Sequence, residues 1–489
     1  MPSTTSSITT PESTQTKRPI QKIPGDYGLP LLGPISDRLN FFYFQGQDAF
    51  FQTRIHKYNS TVFRTNMPPG PFISSDSRVV AVLDAASFSV LFDLSNVEKK
   101  DVLTGTFVPS LSLTGGHRVL AYLDPSEPSH ATLKHLIFSL LSLRRKHFIP
   151  EFRTTFSALF SNLEVQLSAR REASFTALND SAAFEFLTRA YFGVSPEMGS
   201  DFSSLTAKWL LPQVSPVKSF GFLPSMLEDF LLHTFPLPSA LVKSDYKKLY
   251  DFFSKTGTWF LDEAEKLGIT REEACHNLLF AVCFNAYGGM KVFFPQLVKW
   301  VGSAGKELHQ KLAHEIRSAL ESNGGEVTLS LMEKMPLTKS VVYEALRIEP
   351  PIPYQYARAK KDMIIESHEW AYEVKKGEMI FGYQPFATKD PKVFERAEEF
   401  VGERFVGEEG EKLLKYVLWS NGRETDDTEV GNKQCAGKDF VVMVSMLLVV
   451  EMFLRYDTFF VTVEKQKLGP AVMITSVIMA AQCTTSATG

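Results

Sequence analysis

Cys435 stands two residues before Gly437, and the largely apolar run 439–455 follows at once. A thiolate at that point would face the positive end of a helix and its unpaired backbone N–H groups, which lower a thiol pKa and hold the sulfur anionic. Gly437 has no side chain, so the backbone there can lie close against a flat ligand. A soft anionic sulfur beside room for a planar group is what a haem iron takes as an axial ligand. Taken alone, such a cysteine is more often a small buried hydrophobe. Other residues bear on the choice. His130 and Lys134, four apart, would put an imidazole and an ammonium on one helix face, a pair suited to carboxylates. Glu344 and Arg347, three apart, share a face as well, and Arg404 follows inside Phe400-Val401-Gly402-Glu403-Arg404-Phe405.

These side chains need long helices to position them. Helical pattern covers 46–58, 129–171, 183–191, 246–267, 271–301, 307–323, 340–348 and 438–455, whereas 62–66, 79–83, 363–366, 371–374 and 379–382 read as short strands. The predicted class is mainly α with a minor β region. Thr270 with Glu273 forms a capping box at the start of the 271–301 helix. At its middle stands Phe284-Asn285-Ala286-Tyr287-Gly288-Gly289-Met290-Lys291, with no Asp, Glu or Thr. Two adjacent glycines cost about 1 kcal/mol each in a helix interior. They signal either close helix packing, or a bend or a group that approaches the backbone.

Composition excludes other classes. A net charge of −3 gives no reason to expect nucleic acid. The four cysteines, Cys275, Cys283, Cys435 and Cys483, match neither a zinc pattern nor a disulfide framework. Phenylalanine is abundant at 40 copies, as core filling or, for some copies, as the lining of an apolar channel. Residues 1–20 are expected to be a disordered N-terminal segment and 21–489 one domain. The start lacks an apolar signal core; it is Ser-rich and acid-poor like a plastid transit peptide, but its first basic residue is Lys17.

Glu344-Ala345-Leu346-Arg347, the later Arg404-Phe405 and the terminal Cys435-Ala436-Gly437, in that order, resemble a cytochrome P-450 over nearly the whole chain, from about 23 to about 477. The cysteine loop departs from the general pattern, with Lys433 in place of an arginine and Thr428 in place of a phenylalanine. With Phe284 to Gly289, Trp419-Ser420-Asn421-Gly422, Pro68 to Phe72 and Tyr122 to Pro128, it is similar to one branch: the plant cytochromes P-450 that metabolise fatty-acid hydroperoxides. The resemblance implies the cytochrome P-450 fold, one haem b, Cys435 on its iron, and His130, Lys134, Lys433 and Gly437 as its other contacts. It implies a buried brace of Glu344, Arg347 and Arg404 behind the cysteine loop. It implies as substrate a polyunsaturated fatty-acid hydroperoxide, cleaved without O2 or a redox partner, and no nucleic acid.

Members of the branch differ in the fate of the carbon radical that follows O–O homolysis. Allene oxide synthases oxidise it and remove a proton; hydroperoxide lyases let it rearrange and recombine with hydroxyl, so that the chain breaks into an aldehyde and an oxo-acid. The synthases typically show Leu-Phe-Thr-Gly-Thr, and here the run is Val102-Leu103-Thr104-Gly105-Thr106. With no aromatic ring at Leu103, and Asn285 orienting the substrate, a hydroperoxide lyase for the 9- or 13-hydroperoxides of linoleic and linolenic acid is expected. An allene oxide synthase is the alternative, followed by a conventional monooxygenase and a haem protein without turnover. The expected location is the cytoplasm or the periphery of membranes or lipid bodies, with a plastid left open.

Overall fold

A computed structural model describes residues 18–196, 201–221, 223–466 and 469–480. The segment expected to be disordered lies outside the described residues up to 17, as does Cys483; Ile20 is already strand, paired in parallel with Ala371. Helices form the bulk of the molecule. Pro128–Leu143, Arg145–Arg170, Phe175–Phe192, Arg271–Ser303, Lys306–Ser322, Pro336–Ile348 and Lys438–Arg455 surround one apolar core. Most of the phenylalanines account for themselves there. Phe440 opens the last helix and packs edge-on against Phe148 at 4.9 Å, and Phe152 stacks on Phe156 at 4.1 Å.

The strands form separate sheets. A five-stranded sheet runs in the order Val62–Asn66, Arg78–Val82, Met379–Tyr383, Tyr354–Ala359, Val97–Glu98. Its β-branched and aromatic residues bury both faces, as a sheet covered by helices and loops requires. A second sheet joins Ile20–Gln21, Ala371–Val374 and Met363–Glu366. The third was not anticipated: Tyr456–Gln466 leaves the last helix without a loop, pairs antiparallel with Gly469–Met479, and that strand takes Ala173–Ser174 as its outer neighbour.

The long central helix is not uniform. Thr270 caps it by accepting from the Glu273 N–H at 3.2 Å. Regular α-helix then covers Arg271–Leu279, a π-helical segment covers Phe280–Tyr287, and α-helix resumes over Gly288–Ser303. π-Turns of this kind widen a helix and concentrate at functional positions. The glycines are now explained. A methyl group at Gly289 would meet nothing within 4 Å, and one at Gly288 only the Cys283 carbonyl at 3.8 Å. No neighbouring helix presses on either, so helix packing is not their reason; Gly289 borders open space.

Candidate functional site

The cysteine loop is held from three directions. The Cys435 N–H donates to the Ser420 carbonyl at 3.0 Å, and Lys438, first residue of the following helix, donates to the Glu424 and Asp426 carbonyls at 2.7 and 3.0 Å. Gln355 and Gln384, from the five-stranded sheet and the turn after it, bind the Trp419 and Leu418 carbonyls at 2.7 and 2.8 Å. Gln434 is buried beneath Gly422, where any Cβ would come within 2.6 Å of its side chain. Gly437 is the N-cap residue of the Lys438–Arg455 helix and has no side chain to satisfy the first-turn N–H groups. Burial pushes the Cys435 thiol up, against the lowering pull of the Gly437 N–H and the Lys134 and Lys438 ammoniums. Burial thus opposes the helix terminus at this sulfur, an influence that the spacing of Cys435 and Gly437 does not reveal.

Beside the sulfur lies a cluster of like charges. Lys134 reaches from the Pro128–Leu143 helix to the Asn432 carbonyl and side chain at 2.6 and 2.9 Å. Lys433 points the other way, into the carbonyls of Leu120, Ala121 and Leu123. His130 is buried, and its Nδ1 has no partner. A fourth member, Lys99, escaped the sequence reading: it is 1% exposed, with Nζ on the Tyr356 carbonyl at 2.7 Å. Burial brings Lys99 and Lys433 down to about 7, Lys134 to about 8 and His130 to about 4, and repulsion from Lys433 adds to the fall of Lys99 and His130. Asp124 pulls Lys433, Lys99 and His130 back up, but not enough to undo the effect of burial. Its oxygens are taken by the Lys99 N–H and by the N–H and hydroxyl of Ser126. A flat ligand that brings two carboxylates and an iron answers the surplus of positive charge, the orphaned imidazole nitrogen and the soft sulfur together. Haem fits these residues.

Asn285 sits in the π-helical segment between buried Cys283 and Tyr287, and is itself exposed. Next to it Phe284 stacks on Phe280 at 4.5 Å, and Phe280 meets Tyr122 edge-on at 5.7 Å. Leu103 lies in the loop that leads from Lys99 to Tyr122, half-buried against the main core. Three of the residues singled out in the sequence, His130, Lys134 and Lys433, thus meet around Cys435. No hydrogen bond, ring contact or charge interaction joins Asn285 or Leu103 to that group.

Glu344, Arg347 and Arg404 form one network. Both Glu344 oxygens take the Arg347 guanidinium, at 2.6 and 2.8 Å, and the Arg404 Nε, at 3.0 Å. Arg347 spends its remaining donors on the Thr388, Ala397 and Glu399 carbonyls, and Arg404 on those of Glu395, Arg396 and Glu399. Glu344 and Arg347 are fully buried, so this is no surface ion pair. Tyr343, on the same helix, donates to Glu424 at 2.8 Å, and Glu424 also accepts from the Trp419 indole at 2.6 Å. The helix is thereby tied to the loop that ends in Cys435.

A mainly helical molecule with minor sheets, a cysteine at the N-terminus of its last long helix and a buried Glu-x-x-Arg behind the cysteine loop is a haem-thiolate protein. The chain belongs to the cytochrome P450 family, whose model matches residues 304–479, and haem is its cofactor. Within the family it belongs to the allene oxide synthase and hydroperoxide lyase branch. It is 61% identical over 474 residues to allene oxide synthase 1, chloroplastic, of Solanum lycopersicum, covering 96% of this chain and 89% of that protein. It is 58% identical to the allene oxide synthases, chloroplastic, of Linum usitatissimum and Arabidopsis thaliana, over 95% and 94% of this chain and 87% and 89% of theirs.

Two expectations are overturned. A hydroperoxide lyase was favoured on Leu103, yet these relatives, similar over nearly the full length, are named allene oxide synthases. One half-buried leucine does not outweigh likeness across the whole fold. The cytoplasmic or membrane-peripheral location gives way too, because the same relatives are named chloroplastic.

Proposed function

We propose that the protein is a plastid allene oxide synthase: it dehydrates polyunsaturated fatty-acid hydroperoxides to unstable allene oxides, using neither O2 nor a redox partner. The observation that carries this reading is the 61% identity to the tomato allene oxide synthase over 96% of the chain. When bound, haem supplies the iron at which the O–O bond is cleaved. Cys435 would hold that iron through its sulfur, whose position the braced loop fixes. His130, Lys134 and Lys99 would face the two haem carboxylates, Lys433 fixes the cysteine loop by donating to the Leu120, Ala121 and Leu123 carbonyls, and Gly437 would let the backbone lie against the ring. Glu344, Arg347 and Arg404 hold the helix behind the loop and take no part in bond-making.

Asn285 offers the hydroperoxide both a donor and an acceptor from a widened stretch of helix, and open space at Gly289, one turn on, leaves room for the substrate. The centre of this helix supplies no acid–threonine pair, so it has no proton relay of the kind used to activate O2. Leu103 forms part of the substrate wall and leaves the product type to the rest of the site. The test is product analysis of haem-loaded protein given the 13-hydroperoxide of linolenic acid without NADPH or O2. Ketols and cyclopentenones are the expected products; short-chain aldehydes with oxo-acids would overturn the assignment. Leu103→Phe should leave the product class unchanged.

A further inference from the structure

Among the described residues, two clusters of metal-ligating side chains lie outside the haem site, and they differ in what their atoms are already doing. Asp84, His368 and Asp390 form the first. Asp84 accepts from the Ala86 and Ser87 N–H groups and from Thr61; Asp390 accepts from the Ala85 and Lys392 N–H groups and from His368. The acceptors of that cluster are occupied, and it is a capping network.

His117, Glu272 and His276 form the second, and one ligand atom of each lies within 4.8 Å of the others. His276 and Glu272 are four apart on Arg271–Leu279, one turn above each other. His117 comes from the separate segment that crosses this helix, with Nε2 4.0 Å from a Glu272 oxygen and its ring stacked on His276 at 5.3 Å. The His276 ring is fixed. Its Nδ1 is bonded to the Tyr246 hydroxyl, Tyr250 lies against its face at 4.7 Å, and Gly115 passes so close that a Cβ there would come within 2.0 Å of Nε2. An outer partner that fixes one imidazole nitrogen and leaves the other to the metal is how proteins orient a histidine ligand; here that other nitrogen lies in a buried ring, beside the side-chain-free Gly115. An ion pair of His117 with Glu272 would explain two of the residues and not the third.

We propose that His117, Glu272 and His276 bind a divalent transition metal of the zinc class, which clamps the segment 111–120 to the helix that carries Asn285. Two imidazoles and a carboxylate favour zinc over calcium or magnesium, with water as fourth ligand. Ligands of a tetrahedral zinc lie about 2.0–2.2 Å from the ion and so about 3.4 Å from one another. Closing to that spacing would fall to His117 and Glu272, which are 30% and 67% exposed, while His276 stays in place. The clamp has a functional address. The segment continues into Leu120, Ala121 and Leu123, whose carbonyls hold Lys433, and it is already tied to the helix by the Leu120 N–H on Asn277 at 2.9 Å.

The test uses haem-loaded protein freed of adventitious metal with a chelator and then equilibrated against Zn2+. Metal analysis should find one zinc per chain that is lost, with at least tenfold weaker binding, in His117→Ala and Glu272→Gln; both are surface changes whose folding is checked by the haem spectrum. Tyr246→Phe should weaken zinc by about tenfold while leaving the ligands in place. Zinc should also slow amide hydrogen exchange across 111–120 in the parent and not in the double variant. Equal zinc binding by the parent and the double variant, or exchange in 111–120 indifferent to zinc, would overturn the proposal.

Discussion

Two buried clusters of charge lie on either side of the cysteine loop, and they are built on opposite rules. Around Glu344 each carboxylate oxygen has its guanidinium donors, and the donors left over find carbonyls. Around Cys435 four basic groups crowd together, and the nearest carboxylate is already committed. A buried charge without its partner is costly, and such groups shift toward their neutral forms. The saturated cluster needs nothing from outside and serves the fold. The unsaturated one is stable only in company, and that marks it as a binding site.

The contrast can be broken at its strongest point first. Glu344→Gln leaves Arg347 and Arg404 buried without their anion and should cost about 3–5 kcal/mol, the usual effect of removing one partner of a buried pair. Denaturant unfolding of the haem-loaded protein measures it, and a loss below 1 kcal/mol would mean that the carbonyls alone satisfy both arginines. Tyr343→Phe cuts the link from this helix to Glu424 and should cost roughly 2 kcal/mol, as for a hydrogen bond to a charged group. The haem-thiolate spectrum should broaden in the same variant as the loop loosens.

Lys99→Met tests the other cluster, and its effect should depend on whether haem is present. Haem affinity should fall by about tenfold, measured by transfer of haem to a competing protein, because one cation facing the carboxylates is gone. In haem-free protein the sign reverses. The folded Lys99 gives up its proton near pH 7 whereas the unfolded chain keeps it to about 10.5, so the unfolded state binds more protons between these values. Stability of the haem-free parent should therefore rise with pH across that window, and Lys99→Met should flatten the rise. The smallest effect belongs to Arg396→Gln. Arg396 pairs with Glu399 beside the saturated cluster but in open solvent, and the unfolding midpoint should not move.

What the sequence disclosed depended on how local the cause was. The helix that begins at Lys438 was legible because a side-chain-free residue precedes a long apolar run, and both lie within one window. Lys99 was hidden for the opposite reason. It stands in Glu98-Lys99-Lys100-Asp101, which reads as a solvated face, and it is buried only because Val97 pairs with Ala359, far along the chain. The π-helical segment left a trace in Gly288 and Gly289, but the residues within it, Phe280 to Tyr287, would suit an ordinary α-helix equally well. Leu103 misdirected the choice of product because a single side chain was asked to stand for the shape of a whole pocket.

The third sheet sets a timetable for folding. Ala173–Ser174 and the residue after the next, Thr176, find their partners in the last strand, with Val472 bonded to Thr176 across 296 positions. A ribosome exposes the early strand long before it makes the late one, and so does any pore that threads the chain from its first residue. Until nearly the whole polypeptide has emerged, that edge stays unpaired, as do the hydrophobic surfaces beneath it. Helices such as Arg145–Arg170 can form on the way, but closure of the sheet, and with it the anchoring of the cysteine helix at its far end, waits for the final residues. Such a chain has reason to depend on chaperones until the strand Gly469–Met479 has been made.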